Sequence, residues 1–295
     1  MGLKPPKGLK KCFRAFYNEI TNRDVFSSGT VRDHYFEKRL FPDKVNVCVR
    51  HDVDIAIDLV LPLAEYEASW GISASYYFLT DTAPYRIWQS DIPRKLVELG
   101  HEVGLHSDHF YEQLALNRDG LARLREDIRK LSELCGKNIS GVVWHGGKHL
   151  TPFKIRNYDL YKDIAPQRLN LDYHDAALYI PNTMKWAANE LISDGENNLR
   201  FIPGKVRKTV KKMLPGQQLL FIGHPFMMFE QGFQHRMDYP NYPYLSPPNK
   251  RNFVMDLKSL VAYNKEYLGE KRTEKIKTLI NWLEKTKIRY KCTQK

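Results

Sequence analysis

Residues 45–54 read VNVCVRHDVD, and this stretch decides the fold. Its first half, Val45–Val49, is rich in β-branched residues and predicts a buried β-strand. The strand runs directly into Asp52 and Asp54, and because alternate residues of an extended chain share a face, we expect the two carboxylates side by side. Acidic residues at the carboxyl end of such a strand are typical of α/β folds, which carry their chemistry there.

Helix and strand signals alternate along the rest of the chain. Helical periodicity, each time followed by a nearby glycine, predicts helices at 55–70, 91–99 and 119–134. Further strand signals lie at 72–79, 102–105, 141–144 and 219–223. This alternation predicts a parallel sheet or barrel. Residues 150–218 carry only fragments of strand character, at 176–180 and 199–202.

The net charge of the chain is concentrated in its two flanks. The formal charge is +12, from 46 Lys+Arg and 34 Asp+Glu; residues 1–44 hold ten basic and five acidic residues, and residues 253–295 hold eleven and five. We therefore divide the chain into a basic N-terminal extension (1–44), a barrel (45–252) and a basic C-terminal helical region (253–295) packed on the barrel. The near-neutral middle disfavours nucleic-acid binding, and the flanks suit a phosphate-bearing partner.

The sequence gives no sign of secretion or of a membrane span. Four well-separated cysteines are typical of free thiols, and no window approaches 18 consecutive apolar residues. We expect a cytoplasmic protein, with peripheral membrane contact left open by the amphipathic stretch Leu9–Ile20. Docking of that stretch on the core is the interpretation that we favour.

Histidines follow several of the other predicted strands. His106 and His109 follow the third strand, His145 the fourth and His224 the last. An aspartate with two histidines suits Zn²⁺, Fe²⁺, Mn²⁺ or Co²⁺ and leaves positions for water and substrate. Because GxGxxG, Walker A and CxxCH motifs are absent from the sequence, the simplest use is metal-activated water, with a carboxylate as general base and a histidine as general acid.

Four short motifs resemble the HDVD-type branch of the polysaccharide deacetylases, which belong with the carbohydrate esterase family four superfamily. They are His51-Asp52-Val53-Asp54, Tyr76-Tyr77-Phe78, Gly100-His101-Glu102-Val103-Gly104-Leu105-His106 and Gly223-His224-Pro225. The resemblance covers residues 45–226, and its most specific part is GHEVGLH. It implies a distorted seven-stranded (β/α) barrel that uses a divalent metal, zinc by our expectation, to remove N- or O-acyl groups from sugars.

The resemblance also implies roles for individual residues. Asp52 would be the general base, Asp54 and His106 metal ligands, and His224 the acid that protonates the leaving amine. Because a valine separates the two aspartates, their roles could be exchanged. The residue four after His106 is a phenylalanine where the family has its second histidine, so the third ligand is either His145, which we favour, or His109.

Further residues are assigned to substrate and to acid–base tuning. Backbone N–H groups of Gly146 and Gly147 could hold the developing oxyanion in place of the family's Arg-Pro motif, which is missing. Trp144 and Phe226 flank the predicted site and could face the substrate. The family's tuning aspartate corresponds to either Asp172 or Asp175.

The sequence thus predicts a metal-dependent hydrolase that removes an acetyl or formyl group from a sugar nitrogen during glycan biosynthesis. A cytoplasmic location favours a sugar carried on a nucleotide or lipid diphosphate. Two other functions remain open. One is a nucleotide-sugar glycosyltransferase in which Asp52-Val53-Asp54 is the metal-binding DxD, and the other is a non-catalytic deacetylase-like barrel that binds a glycan.

Overall fold

The structure is a computed structural model of the whole chain. It describes residues 2–36, 40–80, 82, 84–116, 118–146, 156–175, 190–194 and 203–232, together with residues 274, 277, 278, 280 and 281. The predicted strands at 176–180 and 199–202 lie outside them, as does most of the predicted C-terminal helical region.

The centre of the fold is a curled parallel β-sheet that forms a half-barrel. Its strands are β1 (Phe26–Gly29), β2 (Val45–Val53), β3 (Ser75–Phe78), β4 (Glu102–Ser107), β5 (Gly141–Trp144), β6 (Tyr173–His174), β7 (Glu190–Ser193) and β8 (Gln218–Gly223). The order across the sheet is β6-β5-β4-β3-β2-β8-β7. The α/β class and the parallel sheet are therefore confirmed, in an arrangement compatible with a barrel.

Strand β2 is central to this sheet. One side of β2 pairs with β8, while the other side pairs with β1 along its first half and with β3 along its second half. Every residue of β2 is buried, which agrees with its β-branched composition and with helices covering a parallel sheet. The strand continues to Val53, four residues beyond the predicted Val45–Val49, because its polar residues are also paired in the sheet.

Helices follow most of the strands. They are α1 (Lys11–Ile20), α2 (Val31–Tyr35), α3 (Val60–Ser69), α4 (Ile92–Glu98), α5 (His109–Leu116), α6 (Gly120–Cys135), α7 (Pro203–Lys212) and α8 (Pro225–Met228). Helix α6 shows how the sequence fixes these bounds. The side chain of Asp119 accepts a hydrogen bond from the backbone N–H of Ala122 at its start, and Gly136 takes a left-handed conformation at its end.

The amphipathic N-terminal stretch packs on the core, as we favoured. Phe13, Phe16, Tyr17 and Ile20 of α1 are buried. The Phe16 ring stacks on that of Phe221 in β8, with centroids 4.4 Å apart, and the Tyr17 hydroxyl donates a hydrogen bond to Glu67 of α3. The segment before the barrel thus supplies one covering helix, strand β1 and the short helix α2.

The inner face of the half-barrel is filled by aromatic side chains below the strand ends. Tyr77 and Tyr173 are fully buried there, and the Tyr173 hydroxyl donates a hydrogen bond to Glu102. Gly104 and Gly141 make room for the two rings, since a Cβ at either position would lie within 2.4 Å of a tyrosine ring atom. Within the described residues, no helix combines the length and apolar character needed to cross a bilayer.

Candidate metal centre and active site

The register of the sheet brings Asp52, Asp54 and His224 together. Asp52 lies near the carboxyl end of β2, and Asp54 follows that strand. Because His51 pairs with Gly223 of β8, His224 lies one position further along, beside Asp52. Nε2 of His224 is 3.8 Å from Oδ2 of Asp54. The first and last strand ends of the predicted site therefore meet as expected.

Asp54, His106 and His145 form a buried cluster that could hold a metal ion. One ligand atom from each lies within 4.8 Å of the other two. Nε2 of His106 is 3.4 Å from Oδ1 of Asp54, and Nε2 of His145 is 3.9 Å from Oδ2 of the same carboxylate. Asp54 follows β2, His106 lies in β4 and His145 follows β5. In the sheet, β5 is next to β4, and one strand, β3, lies between β4 and β2.

Both histidines are oriented by contacts of their other ring nitrogen. Nδ1 of His106 donates to the carbonyl oxygen of Val143 over 3.3 Å, and Nδ1 of His145 lies 3.5 Å from Oδ1 of Asp108. Asn157 in turn donates a hydrogen bond of 2.8 Å to that Asp108 oxygen. Both Nε2 atoms therefore face Asp54, which is the arrangement that outer hydrogen bonds give to metal-binding histidines.

The cluster also fits a divalent cation by its electrostatics. Oδ1 of Asp54 is buried without a hydrogen bond of good geometry. Burial alone would lower the pKa of His145, but the carboxylates of Asp54 and Asp108 outweigh it and raise that pKa. The site therefore favours a positive charge among its imidazoles. Two imidazoles and one carboxylate are a common ligand set for zinc and related metals.

Asp52 is held by a residue of its own strand. Nε and Nη2 of Arg50 each donate a hydrogen bond of 2.7 Å to one carboxylate oxygen of Asp52. Burial opposes ionisation of Asp52, but Arg50 and His106 outweigh it and hold its pKa well below the usual range. Asp52 is thus an ionised carboxylate in a fixed orientation, 3.9 Å from Nε2 of His106. This environment differs from that of Asp54, which lies among imidazoles.

His224 is held by Asp194, which follows β7. Oδ1 of Asp194 is 2.6 Å from Nδ1 of His224, and Oδ2 accepts a 2.7 Å hydrogen bond from the His224 backbone N–H. Burial lowers the pKa of His224, but Asp194 and Asp54 outweigh it and raise the pKa to about 10. The His224 ring therefore carries a proton in this environment, with Nε2 directed toward the cluster.

His109, the alternative third ligand, belongs to a different cluster. Its Nε2 is 3.0 Å from Oδ2 of Asp127 in α6, and that oxygen also accepts a hydrogen bond from Thr80. Nδ1 of His109 lies 3.1 Å from the Ser107 hydroxyl. The residue begins α5, and both of its ring nitrogens are engaged by these two partners. The structure thus brings His145 to the cluster and ties His109 to the neighbouring helix.

The two tuning candidates are in different places. Asp172 lies at the amino end of β6 and forms an exposed ion pair with Arg32, at 2.6 Å. Asp175 lies at the carboxyl end of β6, fully buried, where it accepts hydrogen bonds from the Trp144 backbone N–H (2.5 Å) and the Tyr161 hydroxyl (2.9 Å). Burial raises the pKa of Asp175 to about 7, although Arg50 acts in the opposite direction.

Of the two aromatic residues predicted to face the substrate, one lies beside His224 and the other does not. The ring of Phe226 is 5.8 Å from that of His224. Trp144 packs instead with Tyr158 on the side of β5 opposite Val143, against the helical layer. Gly146 is exposed just after His145. Gly147 lies outside the described residues.

Sequence reasoning missed two residues of this site. Arg50 shares a face with Asp52 by the same two-residue spacing that pairs Asp52 with Asp54, so the signal was present in the sequence. Asp194 follows the strand of β7, Glu190–Ser193, in the stretch that had no clear pattern. The apolar pair Leu191-Ile192 ahead of a lone aspartate is its only sign there, and such a pattern is common.

Comparison of the chain with models of known protein families gives no match. Comparison with curated protein sequences likewise gives none. The interpretation of the site therefore depends on its geometry and on the chemistry of its side chains.

Proposed function

We propose that the protein is a metal-dependent hydrolase that removes an N-acyl group, acetyl or formyl, from a sugar. The observation that carries this proposal is that a possible metal cluster lies beside two ionisable side chains in opposite charge states. Asp52 is an ionised carboxylate held by Arg50, and His224 is a protonated imidazole held by Asp194. Hydrolysis of an amide needs both a proton acceptor and a proton donor on either side of the reacting carbon.

The cluster of Asp54, His106 and His145 would hold the metal. A divalent cation bound there, which we expect to be zinc, supplies Lewis acidity to the acyl carbonyl and lowers the pKa of water. Asp52 takes the proton as water attacks the carbonyl carbon. The backbone N–H of Gly146, which is exposed just after His145, would hold the oxyanion. Gly147, the second predicted donor, lies outside the described residues.

His224 completes the reaction as general acid. The C–N bond breaks as His224 donates its proton to the sugar nitrogen, so that the amine and the free carboxylic acid leave as products. Asp194 keeps the proton on Nε2 by holding Nδ1–H, and its charge stabilises the imidazolium until transfer. We propose a sugar carried on a nucleotide or lipid diphosphate as substrate, since the basic flanks would attract such a group.

The geometry gives less support to the two other functions. In a DxD transferase both carboxylates would hold the metal of a sugar nucleotide, whereas here Asp54 clusters with two histidines and Asp52 is paired with Arg50. A purely binding protein has no need for the charged pair of Asp194 and His224 beside the cluster. Both functions remain outcomes of the test.

The test combines metal analysis with product detection. The full chain, loaded with Zn²⁺, Mn²⁺ or Co²⁺ in turn, is incubated with N-acetylated and N-formylated sugar nucleotides, and released acetate or formate is measured by mass spectrometry. We expect acid release that Asp52→Asn reduces by about a thousandfold without loss of bound metal. Release of a free nucleotide diphosphate instead of acid would indicate sugar transfer. A chain that binds no metal and releases no acid would contradict the proposal.

A further inference from the structure

The exposed apolar side chains of the protein are concentrated at the end of the sheet opposite the candidate site. Six large apolar side chains of the described residues are exposed, and five lie at the amino ends of the strands: Leu3, Val25, Phe36, Phe41 and Leu214. The exposed fraction of Leu214 is 63% and that of Phe41 is 44%. The sixth, Leu191, is on strand β7. Single exposed apolar residues are ordinary, but their collection at one end is not.

Hydrogen bonds join the segments that carry these side chains into one surface. The N–H of Gly216, two residues after Leu214, donates to the Lys44 carbonyl over 2.8 Å. The N–H of Val45 donates to the Val25 carbonyl, also over 2.8 Å, so the segments before β1, β2 and β8 are contiguous.

The N-terminal residues join this surface at its other side. The indole N–H of Trp70 donates to the Leu3 carbonyl over 3.2 Å, and the Arg23 guanidinium donates to the Trp70 carbonyl. The contacts therefore run from Leu3 through Arg23 and Lys44 to Leu214, because the Lys44 ammonium donates to the Arg23 carbonyl.

Positive charges lie between the apolar side chains. We define the amino-end face by Leu3, Val25, Phe41 and Leu214 together with Arg23, Lys44, Lys211 and Lys212. The Lys44 ammonium lies 5.7 Å from the centroid of the Phe41 ring. Within the described chain, Arg23, Lys211 and Lys212 form no ion pair. Asp24 and Asp43 are the acidic residues of the same loops, so the face is positive overall.

We propose that the amino-end face docks on the surface of an anionic lipid bilayer. Exposed leucine and phenylalanine side chains can enter the boundary between headgroups and acyl chains, while interspersed lysine and arginine are attracted to anionic headgroups. The apolar residues are separated by cations and do not form one smooth patch, which suits a lipid surface better than a protein groove. The face is at the opposite end of the strands from His224, so docking there would leave the bilayer on the side away from the candidate site.

The proposal does not depend on the reaction at the site, and its test uses no substrate. The full chain is sedimented with vesicles of phosphatidylcholine alone and with vesicles that also contain phosphatidylserine. We expect binding to the anionic vesicles only, and weaker binding as salt rises from about 0.1 M toward 0.5 M. Phe41→Glu with Leu214→Glu should lower the partition coefficient by about tenfold or more.

Leu191→Glu is the matched control, because Leu191 is 55% exposed but lies inside the edge strand β7 and not in the segments that carry the face. It should bind like the wild type. If the double variant fails to fold, as judged by its thermal unfolding midpoint, Lys211→Glu with Lys212→Glu tests the same face from the exposed end of α7.

Three results would overturn the proposal. They are a wild type with no preference for anionic vesicles, face variants that bind as the wild type does, and a Leu191→Glu variant that loses binding to the same extent. Sedimentation velocity without vesicles tests whether a second copy of the chain binds to the face instead. A dimer that the face variants abolish would assign the face to a second copy of the chain, and the lipid proposal would then be wrong.

Discussion

Asp194 forms two hydrogen bonds with His224, one to the ring nitrogen Nδ1 at 2.6 Å and one to the backbone N–H at 2.7 Å. The same carboxylate thus sets the position of the residue and the charge of its ring. This contact joins the end of β7, which is an edge strand of the sheet, to the end of β8. Both the orientation of His224 and its raised pKa therefore depend on Asp194.

We expect Asp194→Asn to lower the rate of amide hydrolysis by roughly a hundredfold to a thousandfold. Asparagine keeps a hydrogen bond to the backbone but lacks the charge that stabilises the imidazolium, so the pKa of His224 falls. Bound metal, measured by mass spectrometry of the protein solution, should not change. A variant with normal turnover would show that His224 is not the proton donor.

A paired comparison of two histidines tests the metal cluster. His145→Ala removes a ligand candidate and should lower zinc affinity by about a hundredfold or more, because only Asp54 and His106 of the cluster remain. His109→Ala removes a partner of Asp127 and should leave zinc affinity within about threefold of the wild type, although it leaves a buried carboxylate without its imidazole and lowers stability. Competition with a chromophoric chelator measures both. Equal losses of affinity would contradict the assignment of His145.

The buried pair of Arg50 and Asp52 should couple strongly in stability. Arg50→Gln leaves the Asp52 carboxylate buried without its partner, so we expect a loss of about 3–5 kcal/mol in the free energy of unfolding. Asp52→Asn in the same chain removes the unpaired charge, and the double variant should lose less than the sum of the single losses. Urea unfolding of the four proteins gives the coupling directly. Additive losses would mean that the two side chains do not interact as described.

Asp175 should make stability depend on pH. Its pKa is raised by burial to about 7 in the folded protein, above the value near 4 of an unfolded chain, so the folded state binds the proton more tightly. Its contribution is fully present below pH 4 and is lost as the pH rises through 7, by roughly 4 kcal/mol at most. Asp175→Asn stays neutral and can keep its partners Trp144 and Tyr161, so its stability should fall less between pH 4 and 7. Urea midpoints across this range, for both proteins, measure the difference.

A large part of the sheet could be predicted from sequence because its strands are short apolar runs that end in polar motifs. The sequence predicts strands β2, β3, β4, β5 and β8 near their observed positions. The site followed from them, since parallel strands place their carboxyl ends together and the polar residues come directly after. The candidate metal ligands could therefore be predicted without predicting the conformation of any loop.

The remaining parts depend on contacts that leave little local signal. Strands β6 and β7, of two and four residues, take their conformation from pairing with β5 and β8 and carry no periodicity of their own. The choice of His145 over His109 depends on where α5 begins and on Asp127, which is 18 residues further along the chain. The docking of α1 on the sheet likewise depends on Phe221, which contacts Phe16 and lies about two hundred residues from it in sequence.

The pairing of β2 with β8 has a consequence for how the protein is made. Strand β8 leaves the ribosome roughly 170 residues after β2, which at bacterial or eukaryotic synthesis rates is a delay of about 10–30 seconds. During that interval one edge of the central strand has no partner, and the nascent chain presents an apolar strand to chaperones and to other chains. Asp54, His106 and His145 have all been synthesised by then, whereas His224 has not. The three residues of the possible metal cluster are therefore all made before His224, the proposed proton donor.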